Sequence, residues 1–86
     1  MKTISDYTDN EVHETWFEDI FLQDLGKTFE EVTIEDLNRE IQSTMDGIEQ
    51  ESIYIGVTPY ARHNIADMED YIDVLKEIIA DKEASN

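Results

Sequence analysis

An excess of acidic side chains limits what this chain can fold into. Twenty-two aspartates and glutamates stand against six lysines and arginines in 86 residues, which gives a formal net charge of −16. Charges of one sign repel each other and oppose compaction, and solubility alone does not need so large an excess. The simplest use of such a surface is to bind a strongly basic partner. The commonest basic surfaces belong to proteins that handle nucleic acid.

Length and composition indicate one small domain that spans residues 1–86. The chain has no cysteine, so no disulfide stabilises it. No apolar run reaches the roughly 18 residues of a membrane span, and the start from Met1 to Asp9 does not resemble a signal peptide. Nucleic acid and anionic lipid would both repel the acidic surface. We therefore expect a cytoplasmic protein, in a bacterial cell or a phage-infected host, that binds neither nucleic acid nor membrane directly.

The first two helices are predicted from capping boxes followed by apolar residues at spacings of three and four. Thr8 with Glu11 predicts the start of a helix at about 9–25, and Gly26 predicts its end. Thr33 with Asp36 predicts the start of a second helix at about 34–47, which Gly47 would end. The apolar face predicted for the first helix consists of Val12, Trp16, Phe17, Ile20, Phe21 and Leu25.

A third helix is predicted at about 64–82, with Asn64 as its N-cap. Its apolar residues follow a heptad seam of Ile65, Met68, Ile72, Leu75 and Ile79. Before this helix, residues 52–63 contain no acid, and the segment at about 52–60 is predicted to be short and irregular or extended. The fold class is therefore mainly α: a small antiparallel bundle of three main helices.

The sequence lacks the motifs of catalysis and of metal binding. The two histidines, His13 and His63, belong to no metal-ligand spacing, and Asp46-Gly47 lies in no calcium-loop pattern. No glycine-rich phosphate loop and no nucleophile motif is present. We expect no enzyme activity, no catalytic residue, no cofactor and no metal.

Carboxylates at spacings of three and four lie about 5–6 Å apart along one side of a helix. Such rows would match a basic groove that normally holds phosphates. Interfaces also need a few buried anchors, often aromatic, and the acid-free stretch offers two tyrosines. The same apolar stretch is also compatible with a place in the core. The predicted partner-binding residues are Glu11, Glu14, Glu18, Glu35, Asp36, Glu40, Glu49, Glu51, Tyr54, Tyr60, Asp67, Asp70, Asp73 and Glu77.

Two segments resemble one protein family. Ile4-Ser5-Asp6-Tyr7-Thr8-Asp9-Asn10-Glu11 resembles the Ile-Ser-Asp-Tyr-Thr-Glu-x-Glu opening of the immunity proteins of DNase-type colicins and pyocins. Glu51-Ser52-Ile53-Tyr54 stands where that family carries Asp-Leu-Ile-Tyr-Tyr-Pro, but Ile55 and Gly56 replace the second tyrosine and the proline. The resemblance implies a four-helix protein, with tyrosines on a short third helix, that binds a basic nuclease beside its active site. It implies that Tyr54 and Glu51 are anchors. It further implies that specificity is set by Glu35, Asp36, Arg39 and Glu40.

Acidity and small size are also similar to those of phage-encoded antirestriction and anti-CRISPR proteins. Together these patterns predict a non-catalytic inhibitor, a monomer or weak homodimer. It would cover the nucleic-acid-binding surface of a nuclease, CRISPR effector or restriction enzyme. The alternative is a helical adaptor that dimerises through the apolar seam of residues 65–79.

Overall fold

The structure, a computed structural model, describes residues 3–85 and is built from helices. A 3-10 turn, Ile4–Asp6, comes before the first long helix. That helix, α1, runs without a break through Glu11–Glu14, Thr15–Leu22 and Gln23–Leu25. Helix α2 is Ile34–Ser52, and helix α3 is Ala61–Ala84. The described part of the chain has no strand, only an isolated bridge between Ile55 and Thr58. The predicted fold class, a mainly α bundle of three main helices, is confirmed.

Contacts between the helices show an up-down-up arrangement. Helices α2 and α3 form an antiparallel hairpin, because the Tyr71 hydroxyl reaches Glu40 whereas Asn64 reaches Glu51. Helix α1 runs alongside α3 in the same direction. The ring of His13, in the first turn of α1, meets residue 67, and Phe29, just beyond α1, contacts Lys82. The antiparallel neighbours expected from short connections are therefore present.

The core lies between α1 and the part of the hairpin away from its connecting loop. Phe17, Leu37, Leu75 and Ile78 are completely buried. The core cluster also includes Ile4, Phe21, Leu22, Val32, Tyr71 and Val74. Of the predicted heptad seam of the last helix, Leu75 lies in this core and Ile79 packs against it, whereas Ile65 and Met68 are only partly buried.

The start and the path of α1 differ from the prediction. Asn10, and not Thr8, is the N-cap, because the Asn10 side chain accepts hydrogen bonds from the backbone of Val12 and His13. The middle of the helix, Thr15–Leu22, is a π-helix. Its i→i+5 hydrogen bonds give more residues per turn than in an α-helix, so the side chains that share one face differ from those of an α-helix. Consequently Val12 and Ile20, predicted to be on the apolar face, are about half exposed.

The end of α1 follows the prediction, since Gly26 adopts the left-handed conformation with φ of +65°. The predicted capping box of Thr33 and Asp36 also begins α2. However, α2 does not stop at Gly47 but continues to Ser52. A side chain at position 47 would lie 3.3 Å from the Met68 sulfur, so this glycine lets α2 and α3 approach closely.

Helix α3 begins three residues earlier than predicted and ends two residues later. Tyr60, and not Asn64, is the N-cap residue, and Ala61 is fully buried at the first helical position. The Asn64 side chain instead donates a hydrogen bond to Glu51 at 3.1 Å across the hairpin. The segment between α2 and α3 forms hydrogen-bonded turns, with Val57 N–H bound to the Tyr54 carbonyl. It does not form the short helix that the family resemblance implies.

Candidate partner-binding surface

The outer face of α3 carries a regular row of exposed carboxylates. Asp70, Asp73 and Glu77 are all exposed at helical spacings of three and four. None of them takes part in an ion pair among residues 3–85. Glu69 was missed by the sequence reasoning although it is exposed one turn before Asp73. Its position could have been found from the same periodicity, because buried residues 71, 72, 74, 75 and 78 fix the opposite face.

The row predicted on α1 is less regular. Glu11 and Glu18 are exposed, but Glu14 is partly buried. Because the π-helix begins at Thr15, the spacing of four between Glu14 and Glu18 does not stack their side chains as it would in an α-helix. These glutamates form no ion pair within the described residues. They therefore add negative potential without making a second continuous row.

Asp36 was predicted to meet a partner, but the structure places it in an internal role. Its carboxylate is buried, bonds Lys27 Nζ at 2.6 Å and accepts the backbone N–H of Thr33. The Lys27 hydrogen bond, helped by the Thr33 backbone, lowers the pKa of Asp36 to about 2. Arg39 joins this group and also holds the exposed Glu35 at 2.7 Å. Asp36 fixes the start of α2 against the loop after α1, so we remove it from the candidate surface.

Glu40 is the second carboxylate that turns inward. Its side chain is half-buried and accepts a hydrogen bond of 2.9 Å from the Tyr71 hydroxyl. Burial raises the pKa of Glu40 above its ordinary value, and burial together with the Glu40 charge raises the pKa of Tyr71. This pair joins α2 to α3 next to Trp16, whose ring meets Tyr71 edge-on. The hydrogen bond links the two helices and turns the Glu40 carboxylate towards Tyr71.

The loop that joins α2 to α3 exposes its apolar side chains. Both predicted anchors, Tyr54 and Tyr60, are exposed. The structure also settles the alternative that this segment belongs to the core, since Ile53 is 73% and Val57 is 74% exposed. Glu49, just before the loop, is exposed, whereas Glu51 is partly buried and bound by Asn64. Sequence reasoning named only the two tyrosines and left Ile53, Ile55 and Val57 open between core and surface, because β-branched residues are usually buried.

Asp67 connects this loop region to α1. Its carboxylate lies 3.4 Å from His63 Nε2, and its backbone carbonyl lies 2.9 Å from Nε2 of the buried His13. A carbonyl only accepts hydrogen bonds, so His13 Nε2 carries the proton. The other ring nitrogen, Nδ1, has no hydrogen-bond partner among residues 3–85. His13 thus serves as a packed residue between the Trp16 and Tyr71 rings, a role that its isolated place in the sequence did not indicate.

A shallow groove opens on the side of the hairpin that α1 does not cover. Its volume is about 450 Å³. The apolar side chains of Met45, Ile48 and Ile72 line it, together with Glu69, Asp73 and Lys76 from α3. The groove therefore places apolar surface beside the carboxylate row of α3.

Metal-binding clusters and membrane-spanning helices are both absent from the described part of the chain. Between residues 3 and 85, no three histidine, aspartate or glutamate side chains come together in a way that could hold a metal ion. None of the helices described is both long enough and apolar enough to cross a membrane. Comparisons with known protein families, with curated proteins and with solved structures found no match to this chain.

Proposed function

We propose that this protein is a non-catalytic inhibitor that covers the basic, nucleic-acid-binding surface of another protein. The observation that carries the proposal is the row of Asp70, Asp73 and Glu77, exposed and without ion pairs among the described residues. Like charges one turn apart repel each other by a few tenths of a kcal/mol. A basic groove would relieve that repulsion and supply complementary potential, which gives fast and salt-sensitive association.

The fold supports this use of the row. Helix α3 is 24 residues long, about 36 Å, and the row from Asp70 to Glu77 occupies about 10 Å of it. The whole molecule is elongated, with extents of 44 × 23 × 23 Å. Colicin-type immunity and phage counter-defence remain two biological settings for the same inhibitor. Small acidic composition suits both, and the second is slightly favoured because the family motif is incomplete, with Ile55 and Gly56 in place of its second tyrosine and its proline.

The alternative of a dimer through the α3 seam fits the structure poorly. Leu75 is completely buried and Ile72 nearly so, because the seam packs against the chain's own helices. A second copy could reach Leu75 only if the bundle opened, whereas Ile72 also lines the shallow groove beside Met45 and Ile48. Two molecules of charge −16 would also repel each other.

The test is capture from a lysate of the native host, followed by release with added duplex DNA and a cleavage or binding assay of the purified captured protein. We expect a nucleic-acid-processing protein whose DNA binding is competed by the inhibitor. Changing Asp70→Asn, Asp73→Asn and Glu77→Gln should weaken inhibition more than about tenfold at low salt. A matched control, Asp19→Asn with Glu30→Gln and Glu83→Gln, removes three exposed charges elsewhere.

The control should keep most of the inhibition, because it leaves the row on α3 intact. If both variants inhibit as well as the natural protein, α3 does not meet the partner. If every captured protein lacks nucleic-acid binding, the proposed function is wrong.

A further inference from the structure

The loop between α2 and α3 forms an apolar tip at one end of the molecule. We define the tip as residues 53–60. Its exposed apolar side chains are Ile53, Tyr54, Ile55, Val57 and Tyr60. Contiguous exposed apolar surface of this kind, with polar residues around it, marks interaction sites in soluble proteins.

The tip stands clear of the bundle because α1 is too short to cover it. His13, in the first turn of α1, packs at the level of Asp67, whereas α3 continues back to Ala61. Six further helical residues extend the hairpin by about 9 Å. The tip thus projects from the end of a hairpin with α1 beside its base.

Hydrogen bonds give the tip a defined shape. The Tyr54 carbonyl accepts the N–H groups of Val57 at 2.9 Å and Thr58 at 3.0 Å, and Gly56 supplies the positive φ of +85° that the turn needs. At the base, Asn64 bonds Glu51 across the hairpin. A preformed loop loses less conformational entropy on binding than a flexible one, which favours affinity.

The charge near the tip indicates which kind of surface could cover it. No acid occurs from residue 52 to residue 66, a stretch in which Arg62 is exposed; the nearest carboxylates along the chain are those of Glu49, Glu51 and Asp67. A second copy would bring two chains of charge −16 together, and an anionic membrane would repel the same carboxylates. A protein pocket with an apolar floor and a basic rim matches both parts: the floor would take the apolar side chains and the rim would face the carboxylates.

We infer that the tip inserts into such a pocket beside the basic cleft of the partner, so that the inhibitor binds through one end as well as along α3. This inference rests on the proposed function. In this inference, two regions of the inhibitor contribute to binding in different ways. The carboxylates on α3 raise the association rate, and added salt reduces this effect. The buried tip lowers the dissociation rate, and salt changes that rate little.

The test uses the partner captured above and a tip variant with Ile53→Ser, Val57→Ser and Tyr60→Ser. Its control is Val12→Ser with Ile20→Ser, two half-exposed apolar residues on α1, away from the tip and from the carboxylate row of α3. We expect the tip variant to dissociate about 30-fold faster with little change in association rate or salt dependence. The control should dissociate at nearly the natural rate. Circular dichroism should show that both variants keep their helices.

Photo-cross-linking from positions 54 and 60 then identifies the occupant. Cross-links to an apolar pocket bordered by lysine or arginine in the captured partner are the expected result. A tip variant that dissociates at the natural rate overturns this inference but leaves the proposed function intact. Tip-dependent capture of a protein that binds no nucleic acid overturns the proposed function instead.

Two further measurements on the protein alone examine the other occupants. Sedimentation in about 1 M NaCl, where repulsion is screened, should show no dimer that depends on the tip. Flotation with neutral phosphatidylcholine vesicles should leave the protein unbound. A tip-dependent dimer or vesicle binding would overturn the inference in favour of a second copy or a lipid surface.

Discussion

At the scale of single residues, two carboxylates separate the internal chemistry of this protein from its surface chemistry. Asp36 is buried with a cation, which lowers the pKa of its carboxyl to about 2. Glu40 is half-buried against a neutral hydroxyl, and burial raises the pKa of its carboxyl. The remaining carboxylates of the predicted surface face solvent or neighbouring polar groups. A charge is tolerated inside this bundle where Lys27 neutralises it, and it destabilises the bundle at Glu40.

The substitution Glu40→Gln should therefore raise the thermal unfolding temperature at pH 7. A group whose pKa is raised by folding stabilises the folded state fully below its unfolded pKa, and this stability is lost as the pH rises through the folded pKa. Glutamine can still accept the Tyr71 hydrogen bond but never ionises. We expect the gain to disappear at about pH 3, below the ordinary glutamate pKa of about 4.3. Differential scanning calorimetry at both pH values measures it.

Glu49→Gln is the matched control, because Glu49 is exposed on the same helix and loses the same charge. Any rise in the unfolding temperature of the control measures the effect of removing one negative charge from an acidic surface. If both variants gain equally at pH 7, burial of the Glu40 charge carries no penalty of its own.

At the scale of elements, two glycines show which helix ends were predictable from the sequence. Gly26 ends α1 through its own left-handed backbone, a local property. Gly47 is also a glycine, but it lies inside α2. It leaves room for the side chain of Met68, a residue distant in sequence. Capping and stop signals were reliable where the determinant was local, as with Thr33 and Asp36.

The same distinction explains what was missed in the site. The row on α3 followed from helical spacing alone. The inward placement of Glu40 depends on Tyr71, and the exposure of the tip depends on where α1 begins against α3, which no local spacing shows. The π-helix of Thr15–Leu22 likewise defeated the prediction for Val12 and Ile20, since a spacing of three and four assumes α-helical turns.

These two glycines should respond in opposite ways to alanine. Gly47→Ala should stabilise by up to about 1 kcal/mol through helix propensity, since the flexible Met68 side chain can move by a few tenths of an ångström. Gly26→Ala should destabilise by about 1–2 kcal/mol, because a residue with a side chain is strained at this positive φ. A clash is not the cause, since no neighbouring atom lies within 4 Å of the added carbon. Urea unfolding of the two variants measures both. A destabilised Gly47→Ala protein would mean that α2 and α3 cannot separate at all.

At the scale of the whole molecule, the charge that favours binding acts against folding. Among the described residues, Lys27 and Arg39 pair with Asp36 and Arg39 also pairs with Glu35, whereas the exposed Asp70, Asp73 and Glu77 take part in no ion pair. The surplus must be balanced by a small core in which Phe17, Leu37 and Leu75 are completely buried. A chain of this size has marginal stability, so the repulsion lowers its free energy of unfolding by a substantial fraction.

Asp70→Asn with Asp73→Asn and Glu77→Gln should therefore fold more stably than the natural protein while it inhibits less well. We expect its unfolding temperature to be higher by several degrees at about 10 mM salt, where charges act over about 30 Å. At about 1 M salt the range falls to about 3 Å, and the two proteins should unfold at nearly the same temperature. The natural protein should itself gain stability over this range. Equal unfolding temperatures at low salt would show that the carboxylates on α3 are already neutralised, and a row without uncompensated charge could not draw in a basic partner.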